Sequence, residues 1–453
     1  MSRIKRRTAV LATAALALVI VFAAWAGGDR SANPGPSAER GDRTEAGDAG
    51  DIGGDITVWA WEHAMKAMMP EIDGFLRKYP NVRVHTVMLS NDDAYKRFLL
   101  ANASNTGAPD VAAIPEPYVG QYIEIGALHD LTSMIRPNRR KIVDTKWPDV
   151  TRDGKYYAMP WDSGPVGLFY RRDVFERAGF PSDPDGVSEL LATWDDYLRV
   201  GKIIKEKTGA YMNALPLESG VGITTMFEYM LSQEGTLYLD KANRVTINSP
   251  LALSALKKLI EMNDSGITLS AEPGTRPYNE ALQKGYVATV LEAVWMGGTL
   301  QEVAPDSSGL WGVAKMPAWR PGGSRAAEAG GSYLGVSRLS TNKRAAWAFI
   351  DYMLGEAETV NNMFRRAYLF PALKEAYDDP MYDEPQPFFA GQRTRRFFVR
   401  LAEEAKPVYF SDDFRDLREI AEFEAFKAIK NASSPEAAIL QMEKRMTEHR
   451  RRK

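Results

Sequence analysis

An α/β fold arranged as two lobes is what the sequence predicts, on three observations. Strand-like and helix-like hydrophobic periods alternate from Asp55 onward. The segment 154–181 reads as backbone leaving one domain and entering another. The chain of 453 residues, 45% hydrophobic and 26% charged, is long and apolar enough for two or three ordinary cores. A net charge of −2 provides no basic field for nucleic acid or anionic lipid and no acidity that selects a cation, so the expected ligand is neutral. Ten Trp, 19 Tyr and 18 Phe supply flat apolar faces for it. With no Cys, thiol catalysis, disulfides and cysteine metal sites are excluded, and no metal or cofactor is expected.

The elements follow in order. Arg3, Lys5, Arg6 and Arg7 precede an apolar run over 9–24 that is short for a membrane span, and Ala24-Trp25-Ala26 has the A-x-A form of a cleavage site, so 1–26 reads as a signal peptide. The local spacing resembles a lipoprotein signal in which Trp25 stands where an acylated Cys belongs, which leaves lipid anchoring without its thiol. The Arg6-Arg7 pair also fits a twin-arginine signal, but an ordinary secretory leader fits the following residues better. Residues 27–54 hold Ile52 as their only large aliphatic and read as a flexible tether. Either leader places the folded part outside the cytoplasmic membrane, at the cell surface or in a periplasm.

Residues 55–60 read as a strand, followed by a helix with Met65, Met68, Ile72, Phe75 and Leu76 on one face and Pro70 at its first turn or at a kink. Val82, Val84 and Thr86 alternate as a second strand, Asn91 or Asp92 caps a second helix, and 111–114 is a third strand leading to Glu116-Pro117-Tyr118 in a loop. Strand–helix–strand order of this kind makes a mostly parallel sheet, with ligands beyond the carboxyl ends of its strands. Residues 165–170 form a buried strand, 171–178 turn helical, and Gly179 with Pro181 ends that helix. Between the two halves lies Trp161-Asp162-Ser163-Gly164, an aromatic plate, a carboxylate, a hydroxyl and a flexible joint, which reads as a hinge at the edge of a cleft. Thr193-Trp194-Asp195-Asp196 opens a helix with a capping box, and helix is expected to run on through Tyr229. Further helices are read at 250–263, 278–285, 343–354 (capped by Asn342) and 435–449, and further strands at 286–291 and 310–316. Residues 330–337 are glycine-rich and extended, a second crossing; a third is placed near Phe370-Pro371-Ala372-Leu373.

Several motifs then carry a resemblance. Ile56-Thr57-Val58-Trp59 before a helix, Ala108-Pro109-Asp110-Val111, Gly154-Lys155-Tyr156-Tyr157-Ala158-Met159-Pro160, Gly167-Leu168-Phe169-Tyr170-Arg171-Arg172-Asp173, the Thr193 helix start, residues 285–295 and Gly330-Gly331 occur in the order and spacing of the extracellular solute-binding proteins of carbohydrate ABC importers, the maltose-binding-protein-like family. The resemblance covers nearly all of 55–444. It implies a periplasmic-binding-protein-like fold of two α/β lobes joined by three crossing segments, with the ligand between them and hinge closure on binding. The implied division is 55–162 with 335–374 for the N-terminal lobe and 163–334 with 375–449 for the C-terminal lobe.

The resemblance also implies a function: capture of a mono- or oligosaccharide and delivery to membrane permease subunits, by a monomer that is not an enzyme and binds no nucleic acid. Sugars present C–H faces that stack on aromatic rings and hydroxyls that must be paired when buried. Positions matching Trp61, Glu62, Asp92, Glu116, Asp162, Trp295, Gly331 and Tyr333 lie around the implied cleft, with Arg366 and Tyr409 as further candidates. Each has a plainer reading. Trp59 and Trp61 share a strand face and one can be core, Glu62 can serve a helix dipole, Asp92 an N-cap, and the glycines only the hinge. The alternatives are a secreted glycosidase using two of these carboxylates, or a binder of a glycerol phosphodiester, polyol or peptide.

Overall fold

In a computed structural model the described residues are 51–453, with the side chains of Asn91 and Asp92 outside the description. The expected leader at 1–26, and the tether up to residue 50, lie outside the described residues. Asp55 is not the start of the first strand, which already runs from Gly53.

The first lobe opens with β1 (Gly53–Trp61), α1 (Glu62–Lys78), β2 (Asn81–Leu89), α2 (Asn91–Ser104), β3 (Val111–Pro115) and α3 (Glu116–Glu124). Short elements follow: α4 (Thr132–Ile135), α5 (Trp147–Val150), and a hairpin of β4 (Thr151–Arg152) and β5 (Lys155–Tyr156). Then come β6 (Met159–Arg171), α6 (Arg172–Ala178), α7 (Pro184–Leu190), α8 (Trp194–Thr208), β7 (Asn213–Leu215), α9 (Thr225–Ser232), α10 (Pro250–Asp264) and β8 (Thr268–Ser270). The remainder is α11 (Arg276–Lys284), β9 (Thr289–Ala293), α12 (Met296–Val303), β10 (Trp311–Ala314), β11 (Glu328–Val336), α13 (Lys343–Gly355), α14 (Ala357–Ala367), α15 (Thr394–Glu404), α16 (Phe414–Ile429) and α17 (Pro435–Arg452).

One seven-stranded sheet has the order β10-β6-β11-β3-β1-β2, with β9 also on β6. β1 pairs in parallel with β2 and β3, whereas β11 joins antiparallel to both β3 and β6. β6 is buried along its whole length and serves both lobes. Its first half pairs with β11, and its second half with β9 and β10. The expected joint at Trp161-Asp162-Ser163-Gly164 is therefore the interior of an unbroken strand. Its backbone is engaged on the far edge too, where Ser163 N donates to Phe370 O at 2.9 Å and Ala372 N donates to Trp161 O at 2.9 Å. The expected crossings near 330–337 and 370–373 are thus the two segments flanking β6.

The buried apolar side chains form two clusters, the first of which continues past β6 to Phe169, Trp311 and Phe398. Ile56, Val58, Ile114 and Phe349 belong to one, while Tyr170, Trp194, Phe227, Leu259 and Met446 belong to the other. Sequence signals for helix ends hold where they are local. Thr193 and Asp196 form a reciprocal capping box, and Gly179 ends α6 at φ 82°, a conformation that favours glycine. Four expectations need correction. Ser90, not Asn91 or Asp92, caps α2 by accepting from Asp93 N. Glu116 begins α3 instead of lying in a loop, because Pro117 fits the first helical turn. The helix expected through Tyr229 is interrupted by β7, which forms because β8 offers it a parallel partner. Asn342 precedes α13 but donates its amide to Asp55 O, so it makes no side-chain cap. Among the described residues no helix is long and apolar enough to cross a membrane.

Candidate ligand cleft

Because β1 and β3 run parallel, their carboxyl ends emerge on the same side of the sheet, and both lead straight into helices. Trp61 ends β1 and Glu116 starts α3, so the two reach a common cleft of about 440 Å³. The positive end of α3 favours a carboxylate at this position. From the crossing strands come Asp162, Gly331 and Ser332, from the start of α12 Trp295, and from α16 Arg418.

Gly331 has a steric reason. It lies at φ 150°, and a Cβ there would come within 2.2 Å of the Asp162 carbonyl oxygen. β11 can thereby approach β6 at an irregular register step, where Ser332 Oγ donates to Asp162 Oδ1. Gly164 has a similar one, since a Cβ there would meet the Trp295 ring at 2.8 Å, so the indole sits directly against the crossing strand. Trp295 is half-buried at the start of α12, and Trp61 is half-buried with its ring against the buried Trp161.

The floor is acidic and buried. Burial pushes the Asp162 carboxyl up to about 6, opposed by the Ser332 hydrogen bond and by Lys146. Burial raises Glu116 well above the usual carboxylate range, aided by Asp149, and its Oε1 has no hydrogen-bond partner. Glu328 is raised by burial as well, while accepting from Ser163 Oγ at 2.9 Å and Gly164 N at 2.7 Å. Arg418 Nε donates to Glu228 at 2.8 Å, so the one guanidinium of this wall is already paired. With donors, acceptors and two indoles around one volume, the cleft can stack a flat ligand and pair its hydroxyls.

Of the residues expected from sequence, the structure brings Trp61, Glu116, Asp162, Trp295 and Gly331 to this cleft. Glu62 and Arg366 line an adjoining cavity of about 660 Å³ that shares Trp61 and His63 with the first. There Glu62 pairs with Lys66 at 2.6 Å and Arg366 with Glu71. Tyr333 is fully buried behind the wall, its hydroxyl donating to Asp149, so it does not face the cleft. Tyr409 is also away from both cavities and donates to Asn243 at 3.0 Å. Asp92 stands in the first turn of α2, and its side chain lies outside the described residues. Sequence reasoning missed His63, Thr299, Ser332, Leu369 and Arg418. His63 directly follows the Trp61-Glu62 pair and donates to Ala367 O at 2.6 Å. Ser332 directly follows Gly331, and that adjacency is the signal by which it could have been found.

Comparison with known proteins identifies the family and the fold. The family model of the bacterial extracellular solute-binding proteins matches residues 59–360. An arabinooligosaccharide-binding protein of Halalkalibacterium halodurans is 25% identical over 303 residues, covering 66% of this chain and 66% of that protein. A lactose-binding protein of Rhizobium radiobacter is 28% identical over 358 residues, covering 76% and 81% respectively. Among solved structures, the sugar-binding protein MalE of Xanthomonas citri superposes with a TM-score of 0.74 at 21% identity over 88% of this chain and 98% of that one, a likeness of fold. The match runs from β1 through β6 and β11 into α14, about two thirds of the chain, and on that ground the chain belongs to the bacterial extracellular solute-binding proteins.

Proposed function

We propose that this protein captures an oligosaccharide outside the cytoplasmic membrane and delivers it, by closure of its two lobes, to an ABC permease. The observation that carries the reading is the pair of half-buried indoles, Trp61 at the end of β1 and Trp295 at the start of α12, that line one cleft with the carboxyls of Glu116 and Asp162. Aromatic plates with adjacent acceptors suit the two faces of a sugar, apolar C–H and hydroxyl. The adjoining cavity that shares Trp61 and His63 supports a ligand longer than one unit. So do the relatives named for arabinooligosaccharide and lactose.

In this reading Trp61, Glu116, Asp162, Trp295 and Gly331 form the main subsite, and Glu62 and Arg366 flank the next. The lobes are residues 55–162 with 335–374 and residues 163–334 with 375–449, acting as a monomer without turnover. Converting a mostly open population to a mostly closed one requires the ligand to favour the closed state by about 5.5 kcal/mol, which contacts from both lobes can supply.

The test is a thermal-shift screen with arabinotriose, lactose, maltotriose, a glycerol phosphodiester and a short peptide, followed by product analysis with reducing-end-labelled oligosaccharides. A ligand at 100 times its Kd adds about 2.7 kcal/mol of stability. A shift with a sugar and no product is the expected result. A shift only with the phosphodiester or peptide overturns the carbohydrate assignment, and turnover makes the protein an enzyme.

A further inference from the structure

Lys146 is among the most deeply buried charged groups of the protein, 1% exposed at the end of the turn that precedes α5. Its Nζ lies 3.8 Å from Asp149 Oδ2 and 5.0 Å from the centre of the Tyr333 ring, and no acceptor reaches it within hydrogen-bond distance. A Cβ on Gly331 would come within 3.3 Å of it, so the ammonium sits directly behind the backbone that forms the cleft floor. An ammonium carries three donors, and burying it with none satisfied is unfavourable unless surrounding charge compensates.

That charge is present on four different elements. The buried carboxyls of Glu116 on α3, Asp149 on α5, Asp162 on β6 and Glu328 on β11 gather on the same short stretch of backbone. A Cβ on Gly330 would meet Glu116 Oε2 at 3.2 Å, and one on Gly331 the Asp162 carbonyl and Lys146 Nζ. Asp162 accepts from Ser332, Glu328 accepts from Gly164 N, and Asp149 is the one 3.8 Å from Nζ. The Lys146 charge favours the ionised form of all four. The other charged groups facing this cluster do not replace it. Arg418 acts on Glu116 but is held by Glu228, which itself repels Glu116, and Arg152 acts on Asp149 from a partly exposed position. Tyr333 contributes only a hydroxyl, given to Asp149. We infer that Lys146 is a positioning residue for ligand binding: from behind the floor, without touching the ligand, it keeps the Asp162 and Glu116 carboxyls in place and able to act as acceptors. This inference rests on the proposed carbohydrate reading for its functional consequence.

The physical reason is charge balance. Take Lys146 away, and four carboxyls of one buried region lose their common cation. They retain protons to higher pH, because burial already favours their neutral forms. A protonated carboxyl offers a ligand hydroxyl a poorer acceptor, so affinity falls, and the pH at which it falls moves upward. Loss of packing alone would lower affinity without moving that midpoint.

The experiment uses the full chain with Lys146→Met, which keeps the length of the side chain, and Lys146→Arg, which keeps the charge. Calorimetric titration with lactose and with arabinotriose from pH 5 to 8 gives affinity and midpoint. Infrared titration of the carboxyl band in sugar-free protein gives the protonation midpoint independently. Expected for Lys146→Met are a loss of tenfold or more in affinity at pH 7 and an upward shift of both midpoints by about one pH unit; Lys146→Arg stays within threefold of wild type. Affinity within threefold and unmoved midpoints in Lys146→Met overturn the inference. If neither sugar binds the wild-type protein, the carbohydrate reading fails on its own, and the infrared midpoint alone decides the role of Lys146: an upward shift supports it and no shift overturns it. Lys146→Gln carries the same comparisons should the Met variant not fold.

Discussion

The indole of Trp61 leans on that of Trp161, with ring centroids 6.3 Å apart and planes inclined by 40°. Trp161 is 1% exposed, so a core side chain fixes the orientation of one that faces the cleft. The two should therefore part company on substitution. Trp61→Ala is expected to weaken sugar binding tenfold or more in calorimetric titration while costing no more than about 1–2 kcal/mol of stability, since its ring is only half-buried. Trp161→Ala should cost about 3–5 kcal/mol in urea denaturation.

Arg418 and Glu228 make a cross-helix pair with Glu228 almost fully buried. Arg418→Ala leaves that carboxylate with the Tyr238 hydroxyl as its main partner. Because a third of the Arg418 side chain meets solvent, the loss should fall at the lower end of the roughly 3–5 kcal/mol expected for breaking a buried pair. Denaturation of Arg418→Ala beside Arg418→Lys measures it, and equal stability of wild type and Ala variant would refute the pairing.

The elevated Asp162 carboxyl makes stability depend on pH in a definite direction. Its folded value near 6 exceeds the ordinary 3.8, so its favourable contribution is complete below about 3.8 and is lost as pH rises through 6. Between pH 7.5 and 5 this group alone should add about 1.4 kcal/mol of stability. Asp162→Asn in the ligand-free protein should lose about that much of the slope in denaturation series at the two pH values. Asp412, held down at about 2 with help from Glu124 and Lys453, has the opposite sign but acts only below 3.8, outside this window.

Gly331→Ala should prevent folding or cost more than about 4 kcal/mol, because the new methyl would overlap the Asp162 carbonyl oxygen. Gly274→Ala is the control: its φ is also positive, at 79°, but nothing lies within 4 Å, so about 1–2 kcal/mol of backbone strain is all that it should show. Thermal melts of the two variants separate steric overlap from conformation.

What could be read from the sequence was what the chain decides locally. Thr193 with Asp196 and Gly179 act on neighbouring backbone, and their roles were legible. The three residues of β7 were not, because Asn213, Ala214 and Leu215 have no strand pattern of their own and are extended only because Thr268, Leu269 and Ser270 pair with them. In the cleft, Trp61, Asp162 and Trp295 were visible as aromatic and acidic groups at strand ends or crossings. Arg418 was not, since it lies mid-helix on α16 and reaches the cleft only through tertiary packing. Tyr333 shows the reverse error: the family resemblance placed it around the cleft, but strand alternation turns it away toward Asp149.

The single strand β6 also constrains how such a protein can be cut, permuted or recombined. Its 13 residues pair with β11 at one end and with β9 and β10 at the other, so opening the chain at Asp162-Ser163 would break the strand that joins the two parts of the one large sheet. The β4–β5 turn at Asp153-Gly154 carries no such double duty and has open space around it, which makes it the natural place for new termini or an inserted reporter. The halves of this molecule are consequently not modules that could be exchanged at the crossing like beads on a string.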